Sequence, residues 1–341
     1  MKRLMALVIA AELLLSTFCI NVSAAEYGRV PEYGTFTAQG ENIYYFEDGA
    51  IREFNIASGK KRIVCKTESA ENICTAGNSL YYVSYSAKSR YYGESVIFKA
   101  DIGSGKKTEF YKCSGDMWIN GIITEGDRIY IQFNEVTSPA AMEDYVDIWD
   151  MNGNFLKYFT PCRYTVSRFM DTDGYEACVF SEELKEVRTS YDDDAGYYLD
   201  YTGAYNIVKI KSDLTEEKVT VPAKIGKNIV SFVYCDERYI YFIDKSGRLC
   251  RYSGETEKYA VLVDGGVNTA CFRNGTLYFL TEKGVLKKYE KDKTSTVKEF
   301  PDHNDKQYDL CFFDEYILYC YNDYSDYAVI GYDGKELFMS R

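Results

Sequence analysis

One histidine, a run of aspartates and a concentration of tyrosines are the residues whose types could carry chemistry. His303, in Pro301-Asp302-His303-Asn304-Asp305, is the chain's only histidine and could act as a general base. No Ser-His-Asp order, H-E-x-x-H or glycine-rich phosphate loop accompanies it, and an exposed loop histidine is the plainer expectation. Asp192-Asp193-Asp194 with Asp200 could gather oxygen ligands for Ca²⁺, Asp192 and Asp194 being the candidates. Adjacent aspartates point in different directions and lack the alternating spacing of a calcium loop, so a solvated acidic loop is expected and no metal or other cofactor is assigned. Paired carboxylates could hydrolyse a glycosidic bond, but in a chain with 52 acidic residues some pair always falls at a suitable distance.

The tyrosines are more specific. Tyr85, Tyr91, Tyr92, Tyr145, Tyr191, Tyr197, Tyr198, Tyr201 and Tyr205 gather in or beside three long connections, 84–95, 134–145 and 181–206; a fourth connection spans 322–326. Tyrosine combines a large contact area with a polar handle and few rotors to freeze, which suits recognition of peptides or sugar faces. The competing reading is that, in a chain with 34 tyrosines, these pack their own loops.

What must position these residues is a repeated hairpin. I-Y-F-I-D-K-S-G-R-L-C-R-Y, from Ile240 to Tyr252, holds two alternating apolar runs around an Asp-Lys-Ser-Gly turn. L-Y-F-L-T-E-K-G-V-L-K-K-Y (277–289) and I-Y-Y-F-E-D-G-A-I-R-E-F (43–54) repeat it. The second arm carries a fixed signature, an aliphatic residue followed three positions later by an aromatic or apolar one. It occurs at Ile51/Phe54, Ile97/Ala100, Val146/Trp149, Ile207/Ile210, Leu249/Tyr252, Leu286/Tyr289 and Val329/Tyr332, at spacings of 37 to 61 residues. That is the period of a four-stranded propeller blade, and far longer than a rung of a parallel β-helix. The expected fold is all-β: a seven-bladed β-propeller of four-stranded antiparallel blades in one domain, 26–341. The last blade has its own outer strand, 335–339, so ring closure need not borrow an N-terminal one. Blade 4 lacks the Ile-Tyr opening. Trp118 and Trp149 read as strand packing residues.

Residues 1–25 read as a signal peptide: Lys2 and Arg3, an apolar run through Ile20, then small residues around Ala24 and Ala25, with Glu12 as an irregularity. An uncut anchor, or lipid attachment at Cys19, is the alternative. Cleavage removes Lys2, Arg3 and Glu12 and leaves 38 basic and 51 acidic residues, a charge balance unsuited to nucleic acid or anionic surfaces. After Ile20 no apolar run is long enough to span a bilayer. Ten cysteines remain, none in a C-x-x-C pair. Cys74, Cys235, Cys271 and Cys311 recur just ahead of the hairpins, which points to small buried hydrophobes rather than disulfides.

The repeats resemble the blades of low-density-lipoprotein-receptor-type (YWTD-like) propellers, and more closely the exported bacterial propellers of unknown function built from similar units. The resemblance covers 34–341. No blade carries Trp-Thr-Asp and the receptor propellers have six blades, so no ligand residues are carried over; it implies an extracellular binding or scaffolding domain. The expected function is therefore that of a secreted or cell-surface, monomeric, non-enzymatic propeller that recognises a peptide, protein or glycan through a Tyr-rich loop face. The rival is a hydrolase, lyase or cyclotransferase acting at the central loop-bearing face.

Overall fold

The computed structural model describes residues 36–85, 94–113, 117–138, 141–159, 168–170, 177–192, 196–273, 275–300, 309–312, 316–321 and 326–339. Among them the strands form seven four-stranded antiparallel sheets, each made of strands consecutive in sequence. These blades, 1 to 7, occupy 36–66, 71–113, 117–159, 168–221, 229–263, 267–299 and 309–339. The protein is an all-β propeller. Its one helical turn among the described residues, Ala223–Gly226, crosses from blade 4 to blade 5. The first strands of neighbouring blades lie against each other in blades 1/2, 2/3, 4/5 and 5/6, which puts first strands at the axis and fourth strands on the outside.

The i, i+3 signature explains how the blades cohere. Side chains alternate across a strand, so two residues an odd number apart face opposite sides of the sheet. In every blade the aliphatic member enters the core shared with the following blade and its partner enters the core shared with the preceding one. Leu249 packs between blades 5 and 6, for instance, and Tyr252 between blades 4 and 5. Ile51 lies between blades 1 and 2, whereas Phe54 joins Val329, Leu318 and Tyr316 between blades 7 and 1. That last cluster closes the circle by packing, aided by the Tyr316 hydroxyl donating to the Gly40 carbonyl at 3.3 Å. Among the described residues no strand is exchanged between the first and last blades.

Polar ties run across the same seams. Lys99 Nζ of blade 2 donates to Met151 O of blade 3 at 2.9 Å, and Lys209 Nζ, at the same repeat position of blade 4, reaches Asp236 O of blade 5 at 3.2 Å. Arg62 Nη1 donates to Ile102 O and Lys157 Nζ to Leu214 O, at 2.9 and 2.8 Å. Charged donors on neutral carbonyls are strong, directional links.

Six blades share a β-bulge between third and fourth strands, whose extra residue is Val64, Phe110, Leu156, Leu262, Val297 or Leu337. Blade 4 pairs there without interruption. The bulge frees backbone that the next blade uses: the 3–4 turn glycines Gly105 and Gly334 sit directly against the carbonyls of Val64 and Val297.

The six described cysteines with assigned surroundings, Cys65, Cys74, Cys113, Cys235, Cys250 and Cys271, are free and buried. Cys74, Cys235 and Cys271 lie in interblade cores, the position their recurrence implied. Residues 1–35, with the expected signal segment and Cys19, lie outside the described residues. No helix among the described residues is long and apolar enough to cross a membrane.

Candidate functional site

Antiparallel blades put the 2–3 turns and the blade-to-blade crossings on one face of the ring, and the 1–2 and 3–4 turns on the other. On the first face the expected long loops of blades 3 and 4 prove to be strands. In blade 3, Arg128–Ser138 pairs with Ala141–Asp150 to its tip, Ser138 opposite Ala141. Among the described residues the first strand accompanies it to Met117 opposite Glu135, and the fourth to Phe159 opposite Val146.

Blade 4 goes further. Ala177–Asp192 pairs with Gly196–Ile210 through Asp192 opposite Gly196. Among the described residues its first strand pairs no further than Arg168 opposite Phe180, and its fourth no further than Val221 opposite Tyr205. Among those residues, 182–192 and 196–204 therefore pair only with each other, as a two-stranded ribbon. The loop reading of 134–145 and 181–206 failed because charge interrupts the apolar pattern. E-E-L-K-E-V-R-T-S-Y-D contains no apolar run, and only its alternation of Val187, Thr189 and Tyr191 marks a strand.

The register sorts the ribbon residues. Tyr191 opposes Tyr197, Thr189 opposes Leu199 and Val187 opposes Tyr201. These six share one register parity, and Arg188, Ser190, Tyr198 and Asp200 the other. Tyr197 and Tyr198 thus stand at opposite parity.

The remaining candidates with described surroundings do not stand on this ribbon. Tyr85 is half-buried between blades 2 and 3, its hydroxyl donating to Ile119 O at 2.9 Å, and burial pushes its ionisation well up. Tyr145 packs into the same core, stacked on Phe133 with ring centroids 5.5 Å apart. Tyr205 is buried between blades 4 and 5. Parity could have found all three. Each lies an even number of residues from a core position on its own strand, Tyr85 from Tyr81 and Val83, Tyr145 from Trp149, and Tyr205 from Ile207. Tyr91, Tyr92, Asp194 and His303 lie outside the described residues, and Asp192 is placed only at the ribbon tip. Among the described residues no group of three or more His, Cys, Asp or Glu is arranged to hold a metal ion.

Tyr205 rests on Gly226 so closely that a Cβ there would run into the root of its ring, which cannot swing aside. Gly226→Ala is expected to lower stability by ~1 to 3 kcal/mol in urea unfolding. The loss should shrink when Tyr205→Ala is made in the same chain, as for residues in contact.

Two further clusters escaped the sequence reading. On the opposite face, between blades 4 and 5, lies a cavity of about 350 Å³ lined in part by Lys209, Glu217, Arg238, Tyr239 and Glu255. The Lys209 side chain is 4% exposed, with Glu217 Oε1 at 3.8 Å, and serves as the seam tie described above. Its signal was the shared I-x-K of Ile97-Phe98-Lys99 and Ile207-Val208-Lys209. In blade 5 the buried Asp244 carboxylate accepts the backbone N–H of Ser246 and Arg248 and the Nε and Nη2 donors of the Arg248 side chain, near Cys250 and Tyr259. Cys250 Sγ lies 2.9 Å from the Tyr259 hydroxyl. Burial pushes the Cys250 thiol up, opposite to what a nucleophilic thiolate requires. This cluster locks a turn rather than performing a reaction.

No family model matches the chain, and no curated protein matches it in sequence. Solved structures do. The propeller domain of the Trilobed protease from Pyrococcus furiosus, described as having an open velcro topology, superposes with a TM-score of 0.56 at 15% identity over 92% of this chain and 98% of that one. The Pyrococcus horikoshii acylaminoacyl peptidase gives 0.59 at 13% identity over 94% of this chain, which spans 53% of the peptidase. Kluyveromyces lactis Hsv2 gives 0.52 at 10% identity, covering 85% of this chain and 89% of that one. At such identities the likeness shows a propeller and no more. None of these matches singles out receptor-type repeats.

Proposed function

We propose that this chain is an exported, non-enzymatic propeller that recognises a peptide, protein or glycan on the face carrying the blade 3 and blade 4 ribbons. The observation that carries the reading is the blade 4 ribbon. Among the described residues it continues beyond both flanking strands, so 182–192 and 196–204 pair only with each other outside the four-stranded part of the sheet. A two-stranded hairpin is marginal alone in water, and an extension that carries Tyr191, Tyr197, Leu199 and Tyr201 at one register parity gains most from a surface that covers it. Export rests on the character of residues 1–25. The likeness to peptidase propellers concerns their propeller part, and the enzyme reading draws no residue from it.

The register makes the test sharper than a simple tyrosine scan. Mature protein applied to peptide and glycan arrays should yield a binder, whose affinity Tyr197→Ala weakens at least about tenfold while Tyr198→Ala, at the other register parity, changes it far less. No binding on either array, or equal affinity in both variants and the parent, removes the ribbon as the contact surface.

A further inference from the structure

Among the described residues the fourth strand of each blade pairs on one side only and is an outer edge, and proteins guard such edges with charge. Here the guard is uneven. Lys60–Lys66 carries Lys60, Lys61, Arg62 and Lys66; Lys107–Cys113 carries Lys107, Glu109 and Lys112; Glu216–Val221 and Lys293–Glu299 are guarded likewise. Blade 3's outer strand, Phe155–Phe159, reads F-L-K-Y-F. Phe155, Leu156 and Tyr158 are 49%, 41% and 61% exposed, the densest run of exposed large apolar side chains among the described residues.

Its one charge does not protect it. Lys157 Nζ is drawn sideways onto blade 4, to Leu214 O and Glu216 Oε1, both at 2.8 Å. The bulge at Leu156 puts Phe155 opposite Trp149 and Tyr158 opposite Asp147, on one side of the sheet. There Phe155 extends an aromatic layer running inward through Trp149, edge-on at 5.5 Å, to Tyr111 and Phe110 of blade 2.

We propose that blade 3's outer strand is a second docking surface, distinct from the ribbon face, that receives an added β-strand from a different, basic protein. Main-chain pairing along the open edge supplies affinity, and apolar side chains at alternate positions of the incoming strand cover Phe155 and Tyr158 on their shared side. The charge of the chain selects the partner. At formal net charge −12, a second copy is repelled, and a strand flanked by Lys or Arg is attracted and steered in.

The test uses mature protein and three synthetic peptides: an alternating Val/Thr strand flanked by lysines, the same strand flanked by glutamates, and a lysine-flanked peptide of equal composition without alternation. Affinity is read by titration calorimetry and by Trp emission. The lysine-flanked alternating peptide should bind best, at least about tenfold tighter than either other, and Phe155→Lys with Tyr158→Lys should reduce its affinity at least about tenfold. Tyr158→Lys alone, at the most exposed ring, should reproduce part of that loss with an unchanged melting curve. Ile63→Lys, 48% exposed on blade 1's outer strand, should bind as the parent does. Failure of all three peptides to bind, equal affinity for them, undiminished binding by the Tyr158→Lys chain, or a parent dimer that Tyr158→Lys dissociates would each overturn the proposal.

Discussion

Replacing Gly105 or Gly334 with alanine is expected to destabilise the ring by ~3 kcal/mol, several times the effect of the same change at Gly40. Two costs add. At φ of +70° and +84°, both positions lie in the left-handed region where an L side chain is disfavoured by ~1 kcal/mol. At both, the new Cβ would also be driven into backbone, the carbonyl of Val64 or of Val297, which the preceding blade's bulge holds in place. Forced insertion into packed structure costs ~1 to 3 kcal/mol. Gly40, at φ +55° with nothing within 4 Å of its Cβ position, incurs only the first cost. Urea unfolding of the three variants beside the parent separates the two contributions. Equal losses at all three would mean that the glycine-to-bulge seam contributes no packing, and that turn geometry alone requires these glycines.

That seam also marks where reading the chain residue by residue reached its limit. The blade was legible because its signature is a matter of parity within one strand. Ile51 and Phe54, or Leu249 and Tyr252, must face opposite ways wherever the strand lies, so each sheet needed a neighbour on both sides. The turn of blade 5 was legible for a similar local reason, since Asp-Lys-Ser-Gly supplies an acceptor side chain and a glycine, Gly247, at φ +67°. The bulges were not legible, because an extra residue in an outer strand shows only against the partner's register. Nor was the seat of Gly105, whose neighbour is forty-one positions away in sequence at Val64. The candidate tyrosines divided along the same line. Tyr85, Tyr145 and Tyr205 went to interblade cores because each shares a strand face with a core residue, whereas the blade 4 segment was read as loop because Glu182, Glu183, Lys185 and Glu186 mask its alternation. Charge on a strand that leaves the sheet carries no penalty, so hydropathy could not reveal it.

Removing the Asp244 carboxylate, as Asp244→Ala, should cost ~2 to 3 kcal/mol at neutral pH, and the difference from the parent should fade in acid. The side chain is 2% exposed, yet every donor near it is directed at it. Oδ1 takes the backbone N–H of Ser246 at 2.9 Å and of Arg248 at 3.0 Å, and Oδ2 takes Arg248 Nε at 2.8 Å and Nη2 at 2.6 Å. Truncation leaves two turn amides and a guanidinium without their acceptor, and hydrogen bonds to a charged group are worth ~1.5 to 3 kcal/mol. Burial by itself would raise the Asp244 carboxyl, but the Arg248 side chain and the two backbone amides outweigh it and hold the group below its ordinary 3.8. A lowered value in the folded chain means that the unfolded chain binds the proton more readily. The carboxylate's contribution is therefore complete above about pH 4 and is lost as pH falls from there through the folded value. Unfolding free energies of parent and Asp244→Ala, measured from pH 7 to pH 3, should diverge at the neutral end and converge at the acid end. A gap that persists unchanged at pH 3 would mean that the loss arises from the shape of the turn and not from the ionised acceptor. The turn amides would then be held by water in the variant as well as Asp244 holds them in the parent.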